Sequence, residues 1–329
     1  MLTKLFFACY FQARRVVEFL EPYRDKFCFR KIRWHKKEFV PLCKTYAKPG
    51  YCNLFLIVAM GDVFCVAALA HLLEKTYGHP VYFFSKPSHE FLFKMFGITN
   101  YQTIDFLQGI LPTISVALNK TSIPAVNDIF FTHTYFQPIP HLPHRNGANF
   151  AISLKRLLGL PDDAAFVQPV WWPQISSRLK MLIEQAGGLK HIVLISPESQ
   201  QKIASRRFYW WKNVSRLLHQ KGFTVVCNAF QPQHQLPNSQ DWKLSSEELI
   251  ALGLRCQAVI SIRSGLCDVL HSRGKDLFII DAHFHLPEVK KFFNVNAMFG
   301  RTDIHEYYNE LAISPKALVK EICATKTQQ

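Results

Sequence analysis

The chain has 329 residues, 49% hydrophobic and 19% charged, with 14 Gly and 18 Pro, which excludes wholesale disorder and collagen-like or low-complexity structure. At about 150 residues per domain this length predicts two domains. No run approaches the roughly 20 uncharged apolar residues of a spanning helix, so a polytopic membrane protein is excluded. The formal net charge of +15 is unevenly placed: residues 1–50 hold twelve Lys and Arg against four acids, interleaved with Phe and Tyr. Basic plus aromatic is the composition of a surface that meets anionic membrane or nucleic acid. With no zinc-finger spacing, RRM signature or recognition helix in view, no nucleic acid is expected; the segment is either an ordinary solvated helical extension or a surface whose expected partner is an anionic membrane. The apolar stretch Leu5 to Phe11 is too short to span, lacks a small-residue cleavage site and is followed by Arg14 and Arg15, so no signal peptide is expected. Nine cysteines, an odd and scattered set without a CxxC pair, point to buried thiols in a reduced cytosolic compartment. The sequons at Asn119 and Asn213 carry no meaning there.

After residue 50 the pattern becomes alternating strands and helices. "NLFLIVAM" (53–60) is an apolar run of buried-strand length, and Gly61-Asp62 leads from it into "VFCVAALAHLLEKTYG", whose spacing is helical. Asp62 reads as the N-cap and Gly78 as the stop. "VYFF" (81–84) is a strand, "HEFLFKMFG" (89–97) a helix, "DIFFTHTYF" (128–136) a strand and "NFAISLKRLLGL" (149–160) a helix ending before Pro161. Residues 161–174, with Pro161, Pro169, Pro173 and Trp171-Trp172, read as an interdomain connection.

The rhythm then restarts. "HIVLIS" (191–196), "FTVVCNAF" (223–230), "QAVISI" (257–262) and "DLFIIDA" (276–282) are strands. Between them lie helices at 207–222, at 245–254 with a Ser245/Glu248 capping box, and at 264–274. The expected fold class is α/β: two doubly wound, Rossmann-like domains facing across a cleft, with a basic N-terminal extension. The bounds are 1–50 for the extension, 51–165 for the first α/β domain, 166–188 for the connection and 189–300 for the second. Residues 301–329 are expected as C-terminal helices able to pack back on the first domain.

Ligands of such sheets sit outside the carboxyl ends of the strands, so the loops there carry the chemistry. Asp62 at a helix start either takes a proton from an attacking hydroxyl as general base or simply caps its helix. In "SPESQQKIASRRF" (196–208), Lys202, Arg206 and Arg207 approach a helix N-terminus, an arrangement that clamps a diphosphate or forms a solvated basic loop. In "ISIRSGLCDVL" (260–270), Ser264 and Gly265 open a helix as a second phosphate cradle or a plain turn. "HLPHR" (141–145) is a polar loop whose His and Arg suit an acceptor. "DAHFHLPE" places His283, His285, Asp281 and Glu288 at ligand-like spacing, but without companion ligands no metal is expected. GxSxG, Walker A and GxGxxG patterns are absent from the sequence, which removes support for serine hydrolase, P-loop and dinucleotide-oxidoreductase chemistry.

In this order, the three segments resemble those of the bacterial lipopolysaccharide heptosyltransferases, glycosyltransferase family 9, a GT-B family. "MGDVFCVAALAHLLEK" (60–75) resembles the family's opening Met-Gly-Asp-Val motif, "QKIASRRFYWWKNVSRLLHQKGFTVV" (201–226) its donor-diphosphate segment, and "SIRSGLCDVL" (261–270) its Asp-Thr-Gly-Leu-Ser-His stretch. Arg263 stands where the family has a sugar-contacting Asp, and Asp268 where it has His.

The resemblance implies a metal-independent, inverting hexosyl- or heptosyltransferase without a cofactor, using a nucleotide sugar and a cell-envelope saccharide or lipid-linked acceptor. It would work on the inner face of the cytoplasmic membrane, in lipopolysaccharide or capsule assembly. Asp62 is the implied base. Lys202, Arg206, Arg207, Arg263, Ser264, Gly265, Leu266 and Asp268 are expected to face the donor, and Gly61, His133, His141, His144 and Arg145 the acceptor. The alternative is a non-catalytic GT-B-like binding or scaffold protein at the membrane surface.

Overall fold

A computed structural model describes residues 45–57, 59–105, 129–132, 148–198, 208–229, 231–281 and 291–326. The basic extension up to residue 44 lies outside them. The described chain divides into two compact units.

The first unit is a parallel sheet of β1 (Cys52–Ile57), β2 (Val81–Ser85), β3 (Tyr101–Thr103) and β4 (Ile129–Thr132), in the order β3-β2-β1-β4. Leu54, Phe55, Leu56, Val81, Phe83 and Phe84 are buried, as continuous apolar strands of a parallel sheet must be. Phe55 stacks on Phe84 at 4.4 Å. The Ser85 hydroxyl donates to the Leu56 carbonyl across the two strands.

The second unit holds α1 (Met60–Ala67), α2 (Ala70–Tyr77, less its last residue), α3 (Glu90–Met95), α4 (Phe150–Leu157) and α5 (Ser177–Gln185). Its sheet has strands β5 (Ile192–Ser196), β6 (Thr224–Cys227), β7 (Ser239–Gln240), β8 (Ala258–Ile262), β9 (Leu277–Ile280) and β10 (His305–Tyr307). Around it run α6 (Phe208–Gln220), α7 (Ser246–Gly253), α8 (Gly265–Val269), α9 (Val295–Phe299) and α10 (Pro315–Lys326). All strand pairs are parallel, in the order β10-β9-β8-β5-β6-β7. Read from the other edge, this is the Rossmann order, and the strand order reverses between β5 and β8. Ser196 pairs with Ser261 there, so the loops after these two strands leave the sheet side by side. Trp210, Trp211, Val214 and Leu218 of α6 join Leu318, Val319 and Ile322 of α10 in one core on β5, β6 and β8. Residues 301–329 thus supply a strand, β10, as well as a helix.

The punctuation differs from expectation in three places. The 62–78 helix is two helices, α1 and α2, broken by a turn at residues 68–69; Gly78 ends the second at φ +68. The helix expected over 264–274 stops at Val269, and a 3-10 turn, His271–Asp276, follows with Gly274 at φ +57. The proline-rich 161–174 stretch is tied down: Val167 N–H donates to the Ala68 carbonyl, and Val170 and Trp171 N–H to that of Met95. Among the described residues the cysteines are free thiols, buried apart from Cys323, and no helix is long and apolar enough to cross a membrane.

One contact sets how closely α1 and α8 approach. A Cβ placed on Gly265 would lie 2.5 Å from the Gly61 nitrogen, and one on Gly61 would lie 2.6 Å from the Gly265 Cα. Both obstacles are backbone, which cannot rotate away. Gly265→Ala is therefore expected to destabilise the chain by about 2–3 kcal/mol, near the top of the usual overpacking range. A denaturant midpoint equal to that of the wild type would show that the helices part freely.

The capping box of α7 is present, with Ser245 and Glu248 bonded reciprocally. Glu248 also accepts from Ser176 at 2.7 Å and Arg178 at 2.8 Å, joining the start of α5 to the start of α7. Partial burial opposes ionisation of Glu248, but the Arg178, Ser176 and Ser245 bonds prevail and hold its carboxyl down at about 2, from 4.5. A depressed carboxylate adds stability above its unfolded value and loses it as pH falls. Glu248→Gln should therefore lower the melting temperature at neutral pH, with the gap closing between about pH 4.5 and 2. A gap that persists in acid would assign the loss to packing instead.

Candidate functional site

The Gly61–Gly265 approach brings two sequence-distant candidate segments together. Helix α1 begins at Met60, with Ala59 as its N-cap residue, so Asp62 sits at the third helical position and is not itself the N-cap. Its Oδ2 accepts the Ala59 N–H at 3.0 Å, the carboxylate half of a capping box. The side chain is half-buried, among groups that include Asp268.

Facing it, Arg263 of the turn after β8 and Asp268 of α8 form a buried ion pair, 7% and 6% exposed, with Nη2 and Oδ1 2.7 Å apart. Arg263 Nη1 donates to Asp268 Oδ2 at 3.2 Å and to the Ser264 carbonyl at 2.8 Å. Its Nε donates to the Phe293 carbonyl at 2.7 Å, and the guanidinium lies 5.9 Å over the Phe293 ring. Burial works against the charge on Arg263, and Asp268 more than offsets it. Burial pushes the Asp268 carboxyl up to about 6, against the pull of Arg263 and with a further push from Asp62. Cys65 lies in the same cluster; burial, Asp268 and Asp62 all raise its thiol, which stays neutral.

Of the donor candidates, Leu266 is core, Ser264 is extended at the head of α8, and Gly265 turns its open side to Gly61. His271 follows, its Nδ1 donating to the Asp268 carbonyl at 2.8 Å and its ring stacked on Phe299 at 4.0 Å. Burial lowers its pKa, which keeps it neutral. Lys202, Arg206, Arg207, His133, His141, His144, Arg145, His283, His285 and Glu288 lie outside the described residues.

The sequence reading missed one pair at the carboxyl edge of the second sheet. Glu198, just past β5, is fully buried, and its Oε2 lies 2.5 Å from Nδ1 of His234, beyond β6. Its Oε1 accepts the Gln231 N–H at 2.7 Å. Both residues fall in loops that strand ends mark for attention, but only pairing across the sheet reveals them as a unit.

No protein-family model matches the sequence, and no curated protein matches it significantly. Among solved structures, the chain is similar to ADP-heptose LPS heptosyltransferase II of E. coli, at 15% identity and a TM-score of 0.51, over 84% of this chain and 99% of that one. It is also similar to a glycosyl transferase family 9 protein from Veillonella parvula DSM 2008, at 13% identity and a TM-score of 0.48, over 86% and 99%. A third is the iron-containing dodecameric glycosyltransferase TibC of enterotoxigenic E. coli H10407, at 14% identity and 0.49, over 78% and 61%. At these identities the likeness is one of fold, and the first match carries it. The chain has the α/β, parallel-sheet fold found in heptosyltransferase II.

Proposed function

We propose that this protein is a glycosyltransferase that moves a sugar from a nucleoside diphosphate to a hydroxyl of a cell-envelope saccharide or lipid-linked acceptor. The observation that carries the reading is the cluster formed where Gly61 meets Gly265, in a chain with a glycosyltransferase's fold. It gathers the half-buried carboxylate of Asp62 and the Arg263–Asp268 pair from segments some 200 residues apart in the sequence.

The two acids of this cluster differ in environment, which is how acid and base roles are separated. Asp268 is buried and bound to Arg263, so it holds the turn at Ser264 rather than meeting substrate. Asp62 has the exposure a base needs. In the proposed step an Asp62 oxygen takes the proton of the acceptor hydroxyl, and the hydroxyl oxygen bonds to the anomeric carbon. The bond to the diphosphate breaks, and its electron pair leaves with the nucleotide. Attack from the opposite face inverts the centre. Lys202, Arg206 and Arg207 neutralise the leaving charge, and Ser264 opens α8 just after β8, at the switch point. His133, His141, His144, Arg145 and the backbone at Gly61 receive the acceptor, while the basic residues 1–50 hold the protein at an anionic membrane on its cytoplasmic side. Residues 51–165 would then form the acceptor domain and 189–300 the donor domain, with no metal or cofactor called for.

Asp62→Asn separates chemistry from capping. The amide oxygen still accepts the Ala59 N–H, and the mutation removes the repulsion with Asp268, so stability should move by less than about 1 kcal/mol. Turnover with an envelope acceptor extract and the bound nucleotide sugar should fall about 10² to 10⁴-fold, with nucleotide affinity nearly unchanged. Transfer within a few-fold of wild type would make Asp62 a cap only. Nucleotide-sugar binding by the wild type without any transfer would favour the scaffold reading.

A further inference from the structure

Glu198 and His234 form a built site that the mechanism above does not use. Glu198 leaves β5 at the switch point of the second sheet, where ligands of this fold sit. Its side chain is 0% exposed. A buried carboxylate must be compensated, and here it accepts from the Gln231 N–H and from the His234 ring. Further bonds lock the frame: Asn228 N–H donates to the Ile195 carbonyl at 2.8 Å, and Asn228 Nδ2 to the Ser196 hydroxyl at 3.2 Å. The His234 ring is tilted on Phe208, the first residue of α6, at 5.1 Å, and its side chain is 20% exposed.

This frame assigns the ring atoms. A carboxylate only accepts, so Nδ1 of His234 carries the proton toward Glu198, and Nε2 is the nitrogen left for another partner. A neutral ring would show an Nε2 lone pair to an anion and repel it. A protonated ring offers an N–H donor, and Glu198 behind it balances the positive charge. We propose that His234 is a phosphate ligand, donating from Nε2 to the diphosphate of the nucleotide, with Glu198 as its positioning residue. The identity of that ligand rests on the glycosyl-transfer reading.

Among the described residues, the titratable groups near His234 are these. Glu198 comes from the end of β5. Cys227 of β6, 3.9 Å from the His234 carbonyl, is pushed to about 11 by burial and stays neutral. Asp241 acts on Cys227, and Lys212 of α6 lies 5.7 Å over the Phe208 ring.

The test is calorimetric titration of the full chain with ADP, UDP, GDP and CDP, and with inorganic pyrophosphate, near pH 6 and pH 8, on either side of imidazole titration. His234→Asn keeps a donor toward Glu198 and removes Nε2. It should bind pyrophosphate and the preferred nucleotide about tenfold more weakly at the lower pH, the scale of a lost charged hydrogen bond, with the deficit shrinking at the higher pH. His234→Gln, whose amide reaches the Nε2 position, should recover part of the affinity without that pH dependence. Glu198→Gln should lose the pH dependence while keeping the wild-type melting temperature. Wild-type affinity in folded His234→Asn, or a deficit that grows with pH, overturns the proposal and leaves glycosyl transfer standing. A wild-type chain that binds none of these ligands overturns both. Should the variants fail to fold, the His234 Cε1–H resonance of the wild type decides: it shifts on pyrophosphate addition, and an unmoved signal overturns the proposal.

Discussion

The closest backbone approach among the described glycines is the one on which the candidate site depends. Gly61 and Gly265 meet with no room for a Cβ on either side, so α1 and α8 are held at a separation other side chains would not permit. Asp62 lies one residue from the first glycine, and Arg263 and Asp268 flank the second. Their mutual geometry is thus fixed by main chain rather than by rotamers. A close approach secured this way keeps charged groups near one another that would separate if free to move. It also gives Gly265 a packing role, against the backbone at the start of α1.

The electrostatics follow from that closeness. Asp62, Asp268 and Cys65 would repel as three anions, and the fold avoids this by different means for each. Asp268 has Arg263; Cys65 is buried and stays a thiol; Asp62 keeps partial exposure and the N–H of Ala59. Of these three, Asp62 is the one left partly exposed, which is the access the proposed base requires.

Local signals were legible in the sequence and pairings across the sheet were not. Apolar runs placed β1, β2, β5, β6, β8 and β9 to within three residues at each end, because a parallel strand buried on both faces must be apolar throughout. The Ser245/Glu248 box and Gly78 are contained within one helical turn and were equally readable. The start of α1 was displaced because Asp caps from two positions: as N-cap, or from the third helical residue reaching back, as Asp62 does. The break after Ala67 carries no Gly or Pro to announce it; Ala68 N–H simply bonds to Phe64 O, and Leu69 N–H to Val66 O, as the chain turns. The short strands β3, β7 and β10 hold two or three residues each, too few to establish a period. Glu198 and His234 stand 36 residues apart, and nothing local to either predicts the other.

The two departures from the heptosyltransferase pattern are linked by the geometry. The resemblance puts an Asp where this chain has Arg263, and a His where it has Asp268. Those two side chains meet in a buried ion pair, each almost wholly removed from water. An arginine alone at that depth would be an uncompensated charge costing several kcal/mol, and an aspartate alone would be equally unsupported beside Asp62. Together they balance one another's charge, with the Phe293 and Ser264 carbonyls and the Met298 sulfur accepting from the guanidinium as well. The pair is therefore one compensated unit rather than two separately buried charges. On the glycosyl-transfer proposal, phosphate contacts fall to the segment after β5, which carries Lys202, Arg206 and Arg207 in sequence, and to His234, held by Glu198.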